Sequence, residues 1–168
     1  VSLGGHVRVG LEDAPMGCPQ DNLTLLRDAR RRIESAGGTL ATAAQVRATL
    51  DAQNEAMVAD LERFVNIESP SLEHECLARS AQFLADLMTR VLGSPPVLVA
   101  SERGPHVHWK GSDDTKVLIV GHHDTVFPLG TVARRPFSRE GNIGRGPGIF
   151  DMKAGIIQAI YGVAAVKE

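Results

Sequence analysis

Cysteine is scarce in this sequence. Cys18 and Cys76 are the two cysteines in 168 residues. They are too far apart for a paired metal-ligand spacing and too few for a disulfide framework, which fits a reducing cytoplasm as the expected location. Charge of one sign is also missing. Eighteen basic residues stand against twenty acidic ones, a net charge of −2 with no long run of either, so neither nucleic acid nor an anionic membrane is expected as a partner. No apolar stretch approaches the roughly 18 residues of a membrane span, and no basic-then-apolar leader opens the chain. Internal repeats and low-complexity segments are absent. What remains is a chain about the size of one ordinary domain, 43% hydrophobic and able in principle to bury a core. It begins with Val1 rather than Met, which leads us to expect that the natural start lies elsewhere.

The periodicities divide the chain. Residues 3–9, "LGGHVRV", read as a short strand with Val7 and Val9 on one face, followed by a loop over 10–20. A helix capped by Asp21 carries Leu23, Leu26 and Ile33 at helical spacing until Gly37 and Gly38 stop it. Thr42 with Gln45 three residues on forms a capping box for a second helix through Leu50. The stretch 51–56, "DAQNEA", is polar and unpatterned and reads as a linker. Met57 then opens a new amphipathic run with Val58, Leu61, Phe64 and Val65. "ESPSLEH" breaks it, and a longer helix places Cys76, Leu77, Ser80, Phe83, Leu84, Leu87, Met88 and Val91 on one face before Gly93 and two prolines end it. The period then changes from 3.6 to 2. Residues 96–100, 106–110 and 116–121 are expected strands, the last apolar throughout, as a central strand buried on both faces would be. Residues 137–146 read as a hairpin turning at Gly141-Asn142, and a helix runs from Met152 nearly to the end.

The chemistry gathers at the end of the third strand. "VLIVGHHDTVFPLG" (117–130) passes from four apolar residues into two histidines and an aspartate, at the place where α/β sheets keep their ligand sites. Residues two apart on an extended segment point the same way, so His122 and Asp124 can face one crevice while His123 faces away in a structural role. Asp124 can then fix the tautomer of His122 and leave the other ring nitrogen for a metal. In "GRGPGIFDMKAG" (144–155), glycines at 144, 146 and 148 let backbone approach closely around Asp151. Its carboxylate can bridge two divalent ions or, alternatively, cap the helix at Met152. His106 and His108 read as surface or edge residues, and His74 as an ordinary residue of a helix's first turn.

"GHHDTVFPLGT" and "GPGIFDMKAGI" resemble the two N-terminal signatures of the zinc-dependent aminoacylase and glutamate-carboxypeptidase-like metallopeptidases, over about residues 57–168. The resemblance implies a dinuclear zinc site in which His122 binds one ion, Asp151 bridges both, and the catalytic role of Asp124 is to orient His122. It also implies a cis peptide at Asp151-Met152, small peptide or N-acyl amino acid substrates, and dimerisation through an inserted domain that is not in this sequence. The family's general base belongs to a Glu-Glu pair beyond the bridging aspartate, and the sequence contains no Glu-Glu pair. With two protein ligands where two zinc ions need about six to seven, the chain alone is expected to be inactive.

The first fifty residues are of another kind. "GGHVRVGLED" (4–13) and "LATAAQVRATL" (40–50) resemble the carboxyl-terminal part of the beta-keto acid cleavage enzymes, zinc-dependent (β/α)8 barrels. That resemblance implies Glu12 as a zinc ligand, Arg8 as a substrate contact and Asp13 as an acid/base partner, beside the competing reading of a solvated strand end. The expected organisation is therefore α/β. A strand-helix-helix barrel remnant (1–50) and a linker (51–56) precede a partial zinc-exopeptidase sheet flanked by helices (57–168), with Met57 as a natural start. The expected function is a metal-dependent hydrolase of amides next to a free carboxylate; the alternatives are a non-catalytic fused fragment and a lyase remnant acting through residues 8–13.

Overall fold

The computed structural model describes Arg31, Ser35, residues 42–113 and residues 117–167. The expected strand at 3–9, the helix from Asp21 apart from Arg31 and Ser35, and the residues Arg8, Glu12 and Asp13 lie outside the described residues. Contacts divide the chain into two units, Val1–Ala43 with Lys110–Val120, and Ala44–Trp109 with Gly121–Glu168.

In the larger unit, helix α1 (Ala43–Val65) is followed by α2 (His74–Leu92), strands β1 (Val97–Val99) and β2 (His106–His108), and a single turn of helix α3 (Thr131–Arg134). Strands β3 (Ser138–Glu140) and β4 (Ile143–Arg145), an irregular turn over Ile149–Lys153 and helix α4 (Ala154–Lys167) complete it. Helix α1 runs unbroken through 51–56, so the second expected helix does not end at Leu50. A polar stretch without an apolar stripe is still compatible with helix when it faces solvent, as most of 51–56 does. Helix α2 begins at His74 and ends where Gly93 adopts φ 78°, a left-handed conformation that costs glycine little.

The core forms where α2 and α4 meet the end of α1. Phe64, Leu84, Leu87, Leu92, Ile156, Ile157, Ile160 and Tyr161 are buried together, and the rings of Phe64 and Phe83 stack at 5.3 Å. Each large apolar side chain withdrawn from water contributes about 1.5–3 kcal/mol. Inside this core lies Asp60, 1% exposed. Its carboxylate accepts hydrogen bonds from Arg90 Nη2 at 2.7 and 2.8 Å and from the Tyr161 hydroxyl at 2.6 Å, with Arg63 alongside.

The two ribbons are antiparallel: Val97 pairs with His108 and Val99 with His106 in one, Ser138 with Arg145 and Glu140 with Ile143 in the other. In β1–β2, Val107 packs on the core while His106 and His108 face outward, as alternation requires. The β3–β4 hairpin turns at Gly141-Asn142, with Gly141 at φ 57°, the conformation that opens a two-residue II′ turn.

Two expectations are corrected. Residues 118–121 form no strand, and in the smaller unit Val117, Leu118, Ile119 and Val120 are 47–62% exposed. A central strand needs a hydrogen-bonded neighbour on each side, whereas the strands among the described residues pair only as the two separate ribbons. The described architecture is thus mixed helix and small sheets. Second, the window Ile149–Val166 is long and apolar enough by length and composition to cross a membrane, although Asp151 and Lys153 lie within it. The backbone is non-helical at Asp151 and Met152. The regular helix therefore has 14 residues, about 21 Å long against a hydrocarbon core of about 30 Å, and Ile156, Ile157, Ile160 and Tyr161 are spent on the core.

Candidate metal centre

Three segments converge: the loop after α1, the extended stretch 121–130, and the turn 146–153. The loop contains a Ser-Pro-Ser sequence, and the residue before a proline is driven to extended backbone. Pro70 and Thr125 accordingly form a parallel bridge, with Thr125 N donating to Ser69 O at 2.7 Å and Ser71 N to Thr125 O at 3.2 Å. Ser69 Oγ donates to His123 O at 2.8 Å. Asn66, Ile67, Glu68, Ser69 and Ser71 each tie down a further segment through a side chain or a carbonyl. Asn66 Oδ1 accepts from Phe137 N, and Glu68 Oε1 accepts from Val132 N at 3.0 Å. Backbone N–H groups of Gly130, Val132 and Thr131 hold the Glu68 carboxyl below its ordinary range.

On this frame the extended stretch divides its side chains as its alternation predicts. The His123 ring turns inward, with Nδ1 3.0 Å from Ser80 Oγ and Nε2 3.2 Å from Pro105 O. Burial keeps its pKa below that of a free imidazole. His122 turns the other way, and its Nε2 lies 2.9 Å from Asp151 Oδ1 although 29 positions separate them. Its Nδ1 lies 3.2 Å from Asp124 Oδ1 and 3.2 Å from Asp124 O. Burial opposes the charged ring, yet the hydrogen bond to Asp151 and the charge and carbonyl of Asp124 raise the His122 pKa. A carboxylate beside each nitrogen favours the protonated ring, the form in which both nitrogens donate. Asp124 is held from behind by the Ser71 hydroxyl, which donates to Oδ2 at 2.6 Å. Against the effect of partial burial, Ser71 and His122 keep that carboxyl below its usual value.

Asp151 stands at the apex of its turn with a side chain 79% exposed, and its carboxylate points to His122 rather than capping α4. The Asp151-Met152 peptide is cis. Gly148 sits at φ 75°, and a Cβ there would come within 2.5 Å of Thr125 Cγ2; one on Gly146 would come within 2.6 Å of Val65 Cγ1. These glycines permit the close backbone approach that brings the turn against the stretch 121–130. The other end of the turn is fixed by Lys153, 1% exposed. Its Nζ donates to Phe64 O at 2.9 Å and Ile67 O at 2.7 Å and stands 4.8 Å above the Phe64 ring. Burial lowers its pKa to about 8.

A cavity of about 300 Å³ opens between these segments. His122, Asp124 and Asp151 line it together with Val126, Phe127, Ile149 and Phe150. The imidazole Nε2 and the Asp151 carboxylate are donors of the type zinc takes, and a carboxylate behind the second ring nitrogen is the usual support of a metal-binding histidine. Two donors are half of a tetrahedral set, and no group of three or more His, Cys, Asp and Glu side chains is arranged to hold an ion among the described residues. The residues present therefore fit a divalent ion as part of a ligand set.

Comparison with known proteins matches both resemblances. Residues 1–51 match the family model of the beta-keto acid cleavage enzymes. The chain is also 33% identical over 123 residues to carboxypeptidase G2 of Pseudomonas sp. (strain RS-16), a match that takes in 69% of this chain. It spans 29% of that relative's length.

Sequence reasoning named His122, Asp124 and Asp151, which the structure brings together, and left Ser71, Glu68 and Lys153 unassigned. Ser69 and Ser71, two apart around a proline, are the one signal that could have marked the loop as an extended partner. Nothing in the sequence marks Lys153 as buried.

Proposed function

We propose that this chain carries part of a zinc-dependent hydrolase site of the exopeptidase or amidohydrolase type, acting on an amide next to a free carboxylate in a small peptide or N-acyl amino acid. The observation that carries the reading is the convergence of His122 Nε2 on the Asp151 carboxylate with Asp124 behind Nδ1. His122 and Asp151 are the metal ligands, and Asp124, braced by Ser71, holds the imidazole plane toward the cavity. A divalent ion bound there would supply polarisation of the scissile carbonyl and activation of water. Binding requires His122 to give up its Nε2 proton, so acid weakens it. Val126, Phe127, Ile149 and Phe150 give the cavity an apolar side.

The chain alone is expected to lack turnover. Its described residues offer two ligands, and the sequence holds no Glu-Glu pair to provide the base that the resemblance implies. Equilibrium dialysis against zinc and assays on N-acyl amino acids test the reading together. Weak zinc binding abolished by His122→Ala supports the site; no binding at all overturns it, and two tightly bound ions or measurable turnover overturn the expectation of inactivity.

The match of residues 1–51 to another enzyme family supports a second reading, that segments of two enzymes are joined in one chain and the product is not catalytic. The nucleotide sequence on both sides decides it: an uninterrupted frame encoding the complete motif sets of both enzymes would defeat this view. A carbon–carbon lyase acting through Arg8, Glu12 and Asp13 ranks behind both. The low cysteine content and balanced charge support a cytoplasmic protein without nucleic-acid or membrane partners.

A further inference from the structure

We propose that Lys153 is the positioning residue of the candidate site: its ammonium group, bonded to two carbonyl oxygens at the end of α1, fixes the turn 148–153 so that the Asp151 carboxylate meets the His122 ring. The inference deepens the metal-site reading and rests on it for its functional meaning.

The argument is geometric. The turn is fastened at its first residue by the close approach of Gly148 to Thr125 and is closed across its width by Lys153 N donating to Gly148 O at 2.9 Å. Between these points Asp151 reaches outward, and the only hydrogen bond described for its side chain is the one to His122. Its aim is therefore set by the turn's own placement. Lys153 supplies that placement, because its side chain leaves the turn in the opposite direction and ends on Phe64 O and Ile67 O. Ile67 belongs to the same loop as Ser71, which holds Asp124. One buried ammonium group thus references both carboxylates that flank His122 to a common element. Burying a charge without a carboxylate in contact is unfavourable. An apolar side chain would fill the same space but could not grip two carbonyls, so what the lysine adds is directional.

The test uses the full chain, with the ring nitrogens of His122 observed by long-range ¹H–¹⁵N correlation spectra. Asp151→Asn gives the reference for a lost Asp151 carboxylate. Lys153→Met, which keeps the stem and drops the donors, is expected to retain its far-UV circular dichroism and to move the His122 nitrogen shifts to the Asp151→Asn values. The double variant is expected to add nothing further. A folded Lys153→Met chain with His122 signals unchanged from wild type would overturn the proposal. Should Lys153→Met not fold, Lys153→Gln replaces it: its shorter amide grips the carbonyls incompletely, so an intermediate displacement supports the proposal and unchanged signals overturn it. Zinc added to wild type tests the underlying reading separately. Failure to bind zinc would remove the metal-site reading, while the response of His122 to Lys153 would still stand or fall on the metal-free spectra.

Discussion

Asp60 and Lys153 are both buried to 1% exposure, and the protein treats them in opposite ways. The carboxylate of Asp60 is met by Arg63, Arg90 and the Tyr161 hydroxyl. Burial alone would raise its pKa, and the hydrogen bonds of Tyr161 and Arg90 more than offset that, leaving it lowered. Lys153 is met by two carbonyl oxygens and the face of Phe64, with Glu68 acting only through space, and burial prevails. A buried charge with ionic partners keeps its charge and holds helices together; one with only dipoles is left near its titration point and can serve to place a chain segment.

The largest effect expected from breaking this contrast is at Asp60. Asp60→Ala leaves Arg90 and Tyr161 without their acceptor. Because both arginines are more than half exposed, the loss is discounted to about 2–3 kcal/mol of stability, read from urea unfolding. Alkaline pH tests the other half. The Lys153 pKa is about 8 when folded against 10.5 for a free lysine, so between those values the unfolded chain binds more protons and stability rises with pH. Wild type should gain on the order of 2–3 kcal/mol relative to Lys153→Met across that window, and a constant difference would refute it. Asp60 works in the reverse sense: its folded pKa is lowered, so its contribution is present above the unfolded value and lost as pH falls through the folded one. At pH 7, Lys153→Met should change stability by only about 1 kcal/mol in either direction, since relief of an unpaired charge offsets two carbonyls left without a donor. Ser71→Ala is the mildest test. It removes a hydrogen bond to a carboxylate 39% exposed, for a loss of about 0.5–1 kcal/mol, and should weaken zinc binding more than it lowers the melting temperature.

These contrasts were only partly legible in the sequence. Spacing alone placed α2 and its buried face, the β1–β2 and β3–β4 strands, and the inward and outward division of His123 from His122 and Asp124, because those depend on local periodicity. The apolar run 117–120 misled, since periodicity reports the tendency to be buried and not the presence of strands to pair with. The helical continuity through 51–56 was missed for a related reason: a solvated helix needs no apolar stripe.

The sequence by itself determined the donors available for chemistry and the glycines that let backbone close around Asp151. The contact between His122 and Asp151, the bracing of Asp124 by Ser71 and the burial of Lys153 were decided only by tertiary structure. Each joins residues between 29 and 89 positions apart. Such contacts depend on which segments share a frame, here the loop after α1, and no local pattern carries that information.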